Sequence, residues 1–125
     1  MADLKEKGCA LLSTTTVTFA ADGDTTLYTV PTGKRCVLSH AIIVAAADCG
    51  TTDISIGANG TETDFVSAVT LSAIDAQYDA CIVCPVPADP VAKIESYAAT
   101  TVIEIKVASH AGAAGNTVYL FGFLY

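Results

Sequence analysis

Residues 117–125 constrain the fold of this chain more than any other segment, because four of its nine aromatic residues alternate there with aliphatic residues and a glycine. The aromatic positions are Tyr119, Phe121, Phe123 and Tyr125, and the positions between them are Val118, Leu120, Gly122 and Leu124. A period of two predicts a β-strand with the aromatic side chains on one face and the aliphatic side chains on the other. A strand that is apolar on both faces needs cover on both sides. We therefore expect a strand with the core on one side and a second layer, for which a neighbouring subunit is a good candidate, on the other.

The chain's size and charge exclude several classes of function. Its 125 residues are enough for one domain with a core that needs neither disulfides nor metals. Six basic residues against thirteen acidic ones give a net charge of −7, which disfavours binding to nucleic acid through phosphate contacts. The longest weakly polar run, residues 41–47, is too short to span a bilayer, and no signal peptide is visible. We expect neither nucleic acid nor membrane as a partner, and synthesis in a cytoplasm.

Runs rich in Thr, Val and Ile, separated by Gly, Pro, Asn and Asp, predict eight or nine strands. The predicted strands include residues 13–19, 25–30, 35–46, 53–57, 63–67, 77–84, 91–97, 101–107 and 117–125. Asn59-Gly60 is a hairpin signal, because both residues tolerate positive φ. This spacing predicts an all-β fold, an antiparallel sandwich of two sheets, with an N-terminal arm at residues 1–13 and the sandwich domain at 14–125.

Two of these segments carry detailed predictions of their own. The segments 91–97 and 101–107 look like neighbouring strands, with the aliphatic residues of the second pointing inward and Glu104 and Lys106 outward. In the long strand at 35–46, strict alternation puts two sets of residues on opposite faces. One set is Cys36, Leu38, His40, Ile42 and Val44, and the other is Val37, Ser39, Ala41 and Ile43.

The cysteines and histidines offer little support for catalysis or metal binding. Cys81 and Cys84 have the spacing of a redox or zinc half-site, but residues three apart in a strand point to opposite faces, and the chain has no second such pair. The five cysteines are best interpreted as thiols that behave as small apolar residues. His40 and His110 are 70 positions apart, and neither belongs to a recognisable nucleophile motif. We expect no enzyme activity, no cofactor and no metal.

Acidic residues collect in the predicted turns, where carboxylates can either bind calcium or cap backbone N–H groups. They are Asp22, Asp24, Asp48, Asp53, Glu62 and Asp64. The spaced ligands and terminal glutamate of a calcium-binding loop are missing. Turn capping is therefore the favoured interpretation.

The order of the segments resembles that of small structural proteins of tailed bacteriophages. The resemblance rests on residues 27–35 (LYTVPTGKR), on the following strand of small apolar residues, and on 54–57, 63–65 and 118–125. It covers most of residues 14–125. It implies a jelly-roll-like sandwich and, as the nearest function, a decoration (cement) protein on the outside of the phage head, typically a trimer.

The resemblance also implies partners and a place of action. The partners would be the major capsid protein and further copies of this chain, and the site would be the exterior of the virion capsid. The subunit interface or core would include Val118, Tyr119, Leu120, Phe121, Phe123, Leu124 and Tyr125. The arm at 1–13, with Leu4, Leu11 and Leu12, would become ordered on contact with the shell or a neighbouring subunit.

Two alternatives remain open at the level of sequence. One is a phage tail or host-surface module that binds carbohydrate, for which Tyr78 and Tyr97 are the plausible aromatic contacts. The other is a small cupin-like enzyme, which would need a cluster of metal-binding histidines that this sequence lacks.

Overall fold

Two antiparallel sheets make up the computed structural model, which describes residues 9–85 and 94–125. The described residues contain nine strands and no helix. The strands are β1 (Ala10–Val17), β2 (Gly23–Thr29), β3 (Cys36–Val44), β4 (Asp53–Ala58), β5 (Thr61–Thr70), β6 (Ala80–Val83), β7 (Ser96–Tyr97), β8 (Val102–Ser109) and β9 (Asn116–Leu124). The prediction of an all-β antiparallel sandwich is confirmed.

The strand order is that of a jelly roll. The five-stranded sheet runs β1-β9-β3-β6, with β7 also paired to β3, and the four-stranded sheet runs β2-β8-β4-β5. Strands β6 and β7 pair with opposite ends of β3, so they share one edge position. The chain is thus one long hairpin with its tip at Asn59-Gly60, where Gly60 has a φ of +87°. Along the two arms of the hairpin, β4 pairs with β5, β3 with β6 and β7, β2 with β8, and β1 with β9. The hairpin as a whole is rolled into the two sheets.

The core lies between the sheets and is built from alternate residues of the inner strands. The large side chains that are almost completely buried include Phe19, Leu38, Ile43, Ile54, Ile56, Ile74, Ile103, Ile105 and Leu120. The predicted inward positions of β8 are confirmed, because Ile103, Ile105 and Val107 are all buried. Strands β8 and β9 lie inside their sheets, which is why both contribute continuous aliphatic faces.

A β-bulge in β3 corrects the predicted faces of that strand. The register with β9 shifts between Leu38 and His40, so Ser39 is an extra residue. Cys36 and Leu38 point into the core, but beyond the bulge the inward residues are Ala41 and Ile43. His40, Ile42 and Val44 therefore lie on the opposite face from Cys36, and the assignment of all five to one face is wrong.

Two further predictions need correction. Strand β7 pairs with β3, whereas β8 pairs with β2 and β4 in the other sheet, so the predicted pairing of 91–97 with 101–107 is wrong. Residues 91–93 lie outside the described residues. The first strand begins at Ala10 rather than at residue 13, because pairing with β9 extends to the pair Ala10–Gly122. Residues 10–13, assigned to the arm from sequence, are therefore strand residues.

No helix among the described residues has the length and apolar character needed to cross a membrane.

Candidate functional site

The outward surface of the five-stranded sheet is the most unusual surface of the described chain. We call it the outer face and define it by the outward residues of β1, β9, β3 and β6. Its larger apolar members are Leu11, Val37, Ile42, Val44, Ile82, Tyr119, Phe121 and Phe123. The remaining outward positions of these four strands, as far as the chain is described, are Thr, Ser, Ala and His, with no Asp, Glu, Lys or Arg.

The strand β9 lies between β1 and β3, so its two faces have separate roles. Val118 and Leu120 are completely buried in the core, and Leu124 is 7% exposed. The aromatic residues point the other way, and Phe123 is 37% exposed. The structure therefore places β9 in the interior of its sheet and settles which face lies outward: the aliphatic face belongs to the core, and the aromatic face belongs to the outer face.

Exposure of large apolar side chains is concentrated on this surface. Six such side chains are exposed among the described residues. Four of them belong to the outer face or its end, namely Leu11 (41%), Ile82 (63%), Phe123 (37%) and Tyr125 (57%). Soluble monomers rarely expose a contiguous apolar patch of this kind unless it binds something.

Specific contacts hold the middle and one end of the outer face in place. The ring of His40 stacks on Phe121, with centroids 4.6 Å apart and planes 10° apart. At the end of the face, the Arg35 guanidinium donates to the Ser96 carbonyl at 2.8 Å, and the Ser96 and Tyr125 hydroxyls are hydrogen-bonded. The same interaction with Ser96 lowers the pKa of Tyr125. Contacts within the chain thus fix the position of the aromatic rings at the middle and the end of this surface.

The residues predicted to form a docking arm are only partly described. Leu4 lies outside the described residues. Leu11 is opposite Phe121 and belongs to the outer face, whereas Leu12 sits at a register shift in β1 and packs against the core. The arm's two described leucines therefore point to different sides of the sheet.

A groove of about 460 Å³ opens between the two edge strands β5 and β6. Phe65, Val66 and Val83 contribute to its lining, and none of the lining residues carries a charge. Ile82 belongs to both the groove and the outer face, so the two surfaces are continuous. A groove lined without Asp, Glu, Lys, Arg or His suits apolar contact better than acid–base chemistry.

The cysteines are placed as structural residues rather than as a reactive pair. Cys81 points inward beside Ile43, whereas Cys84 is exposed, so the two thiols lie on different sides as the spacing predicted. Burial raises the pKa of both the Cys36 and the Cys49 thiol to about 11. Thiols with such pKa values remain protonated and unreactive at neutral pH.

The histidines each have one polar side-chain neighbour. Nδ1 of His40 lies 2.9 Å from Oγ of Ser39, the extra residue of the bulge. No carboxylate among the described residues bonds the His40 ring to make it a general base. Nδ1 of His110 lies 2.8 Å from Oδ1 of Asp22, which also accepts the His110 backbone N–H. That pair joins two loops at the surface.

Most acidic residues of the turns accept backbone N–H groups, as predicted. Asp48 accepts from Gly50 at 2.9 Å, Glu62 from Gly60 at 3.1 Å and Asp64 from Ala58 at 3.2 Å. One cluster goes beyond capping. Asp24, Glu62 and Glu104 each present a carboxylate oxygen within 4.8 Å of the other two, which is close enough to hold one metal ion. Sequence reasoning missed Glu104 because its strand position indicated an ordinary outward residue.

Of the two tyrosines considered as sugar contacts, only one is accessible. Tyr97 is 5% exposed and donates its hydroxyl to Oδ1 of Asp64 at 2.6 Å, so it is a core residue. Burial, and next the bond to Asp64, raise its pKa well above the usual range. Tyr78 is 77% exposed and has a φ of +70°, a conformation that is uncommon for a residue other than glycine.

Taken together, these sites show a surface suited to association and a small acidic cluster on the opposite sheet. No model of a protein family, no curated protein and no solved structure matches the chain, so a function has to be assigned from its own residues and their geometry.

Proposed function

We propose that this chain is a structural, non-enzymatic decoration protein of a bacteriophage head. It would bind the major capsid protein on the capsid exterior and stabilise the shell as a homotrimer. One observation carries the proposal: the outer face of the five-stranded sheet is apolar and uncharged across four strands. The resemblance of its segments to phage structural proteins supplies the biological setting.

The composition of the outer face supports an interface between proteins. Aromatic residues are enriched and charged residues depleted at the centres of such interfaces. Phe121, Phe123 and Tyr119 lie in a row along β9, in the middle of the sheet. Because β3 and β1 flank them, the aromatic row would be the centre of the buried area and the threonines of β1 its rim.

A closed trimer is compatible with one such face per subunit. Association around a three-fold axis buries the same surface in each copy and leaves no open end that could polymerise. A trimer on a capsid lattice also presents several docking contacts at once, so weak contacts to the shell add up. Leu11, at the edge of the outer face, connects the proposed interface with the segment proposed to dock on the shell.

The association can be tested with charged substitutions of exposed residues, which leave the core intact. We expect wild-type protein to sediment as a trimer at micromolar concentration, and Phe123→Lys and Ile82→Lys to sediment as folded monomers. Thr29→Lys, at an exposed position of the four-stranded sheet, is the matched control and should remain trimeric. A wild-type monomer, or equal effects of all three substitutions, would contradict association through the outer face.

The role on the head needs a separate experiment. Purified protein is added to heads that lack it, and binding is measured by co-sedimentation and electron microscopy. We expect saturable binding to the exterior and a higher temperature of head disruption. A trimer that neither binds nor stabilises the heads would refute decoration while leaving the assembly intact.

The alternative, a tail or host-surface module that binds carbohydrate, is favoured by one observation. Tyr78 is the most exposed large apolar side chain among the described residues, and its backbone is held in a left-handed conformation by the N–H bond to the Ala45 carbonyl at 2.9 Å. Strained, exposed aromatic residues are often functional. Binding to a glycan array that is lost in Tyr78→Ala would favour this alternative.

A further inference from the structure

Three carboxylates from distant parts of the chain meet on the outward side of the four-stranded sheet. Asp24 lies on β2, Glu62 on β5 and Glu104 on β8. The roll brings them together because β8 pairs with both β2 and β4, and β5 is the second arm of the hairpin that begins with β4. One oxygen of each side chain lies within 4.8 Å of the other two.

Glu104 is the unusual member of this cluster. Only 6% of it is exposed, and its Oε1 atom is buried without a hydrogen-bond partner among the described residues. A buried carboxylate oxygen without a partner is costly, since the lost hydration is not replaced. The same carboxylate contributes one oxygen to the cluster with Asp24 and Glu62, so a cation bound there would compensate for its burial.

The backbone near Glu104 is shaped to let Glu62 approach. Gly57 is the residue paired with Glu104 in the neighbouring strand. A Cβ atom at Gly57 would lie 2.5 Å from the Thr61 carbonyl oxygen and 2.9 Å from the Glu62 carbonyl carbon. The absence of a side chain at this position therefore allows the start of β5 to fold over β4 and bring Glu62 towards Glu104.

The charged side chains described around the cluster have a net negative charge. Burial, then the charges of Asp24 and Glu62, raise the pKa of Glu104, and a hydrogen bond from the Asn59 side chain opposes the shift. Lys106 is the cation that acts on Glu62. Oε1 of Glu62 already accepts the Gly60 N–H. Among the described residues, three carboxylates therefore stand against the single positive charge of Lys106, which favours a further cation.

We propose that Asp24, Glu62 and Glu104 bind a calcium ion. Oxygens that each lie about 2.4 Å from one calcium ion are at most about 4.8 Å apart, which agrees with the spacing here. A donor set made only of carboxylate oxygens suits a hard cation rather than zinc. Magnesium demands near-ideal octahedral geometry and gives up its waters reluctantly, whereas calcium accepts irregular sets of carboxylate oxygens, so calcium is the better match.

The bound ion would join β2, β5 and β8 on the side of the molecule that faces away from the outer face. It would stabilise the sandwich independently of whether the chain assembles or binds a capsid. The proposal therefore stands apart from the function proposed above.

The experiment uses the full chain stripped with EDTA. Calcium chloride is titrated calorimetrically, and the Tm is measured with and without millimolar calcium or magnesium. We expect one saturable calcium site and a rise in Tm of about 5 °C or more with calcium, as expected for a ligand that binds only the folded state. Magnesium should give less than half of this rise.

Two substitutions distinguish specific binding of calcium by this cluster from a general effect of the protein's negative charge. Glu104→Gln has nearly the same shape, so without calcium it should be at least as stable as wild type, while its calcium affinity falls at least tenfold. Asp48→Asn removes one charge elsewhere and keeps an oxygen for the Gly50 N–H, so its affinity should stay within about twofold of wild type. No calcium-dependent heat or Tm shift in wild type, or equal losses in both variants, would overturn the proposal.

Discussion

The side chain of Asn116 connects three parts of the backbone, although no motif in the sequence indicates this role. It is completely buried at the start of β9. Its Nδ2 donates to the Val17 and Ala113 carbonyls at 3.0 and 2.6 Å, and its Oδ1 accepts the Ala46 N–H at 2.9 Å. One amide thus joins the ends of β1 and β3 to the loop that precedes β9.

Substitution of Asn116 should lower the stability of the folded protein considerably. Asn116→Ala removes three hydrogen bonds to backbone groups, and of these groups the Ala113 carbonyl keeps a further donor, the Phe19 N–H, so we expect a loss of about 2 to 4 kcal/mol in the free energy of unfolding. Urea denaturation measures it. Thr14→Ala, at an exposed position of β1, is the control and should change stability by less than about 0.5 kcal/mol. A near-neutral Asn116→Ala would mean that water replaces the amide.

The buried thiols predict a loss of stability at alkaline pH. The pKa of the Cys36 thiol is about 11 in the folded state against 9.0 for an ordinary thiol, because burial disfavours the thiolate. The unfolded chain therefore loses this proton first as the pH rises. The stabilisation is complete below pH 9 and is lost as the pH rises towards 11.

For Cys36 the loss should be on the order of 2 kcal/mol. Urea denaturation between pH 8 and 11 would measure it as the difference between wild type and Cys36→Ala, whose profile should be flatter. Cys84→Ala, which removes an exposed thiol, should follow the wild-type profile. Parallel profiles for wild type and Cys36→Ala would show that the folded thiol ionises normally.

At the level of elements, the bulge in β3 lies directly opposite Gly122 in β9. The register shifts beside the pair Leu38–Gly122. A Cβ atom at Gly122 would lie 2.5 Å from the Val37 carbonyl oxygen, which is backbone and cannot easily move. The glycine that interrupts the aromatic-aliphatic pattern is therefore required by the close approach of β3.

Gly122→Ala should accordingly disturb the pairing of β3 with β9. We expect a loss of about 1 to 3 kcal/mol, which is typical of overpacking, measured by thermal or urea unfolding. Thr117→Ala on the same strand has no comparable contact and is the control. A Gly122→Ala variant as stable as wild type would mean that the bulge adjusts without cost.

The sequence predicts the elements of this fold better than their arrangement. Alternation and turn residues locate the strands, identify the inward residues of β8 and separate the two faces of β9, because those features depend on neighbouring positions. Which face of β9 lies inward was left open by the sequence. The bulge at Ser39 was not predictable, since it depends on the partner strand rather than on β3 itself. The same holds for the cluster around Glu104, whose members are brought together only by the roll of the chain.

On the scale of the whole molecule, the two sheets present surfaces of opposite character. The outer face is apolar and uncharged, whereas the four-stranded sheet carries Asp24, Glu104 and Lys106 on its outward side. With a net charge of −7, a subunit that covers its apolar surface would leave an acidic surface in water. In the assembly proposed above, the apolar sheet would form the interface and the acidic surface would keep the particles soluble.

The chain-long hairpin has a consequence for the order in which the protein folds. Closing a loop costs more entropy as it lengthens, so the pairing of β4 with β5 across Asn59-Gly60 is the least costly first step. Once two strands have paired, the loop that the next two strands must close is effectively shorter. Pairing therefore proceeds outward from the tip of the hairpin. We therefore expect the aromatic strand β9 to join last, so that the apolar surface it completes forms only after the rest of the sandwich is in place.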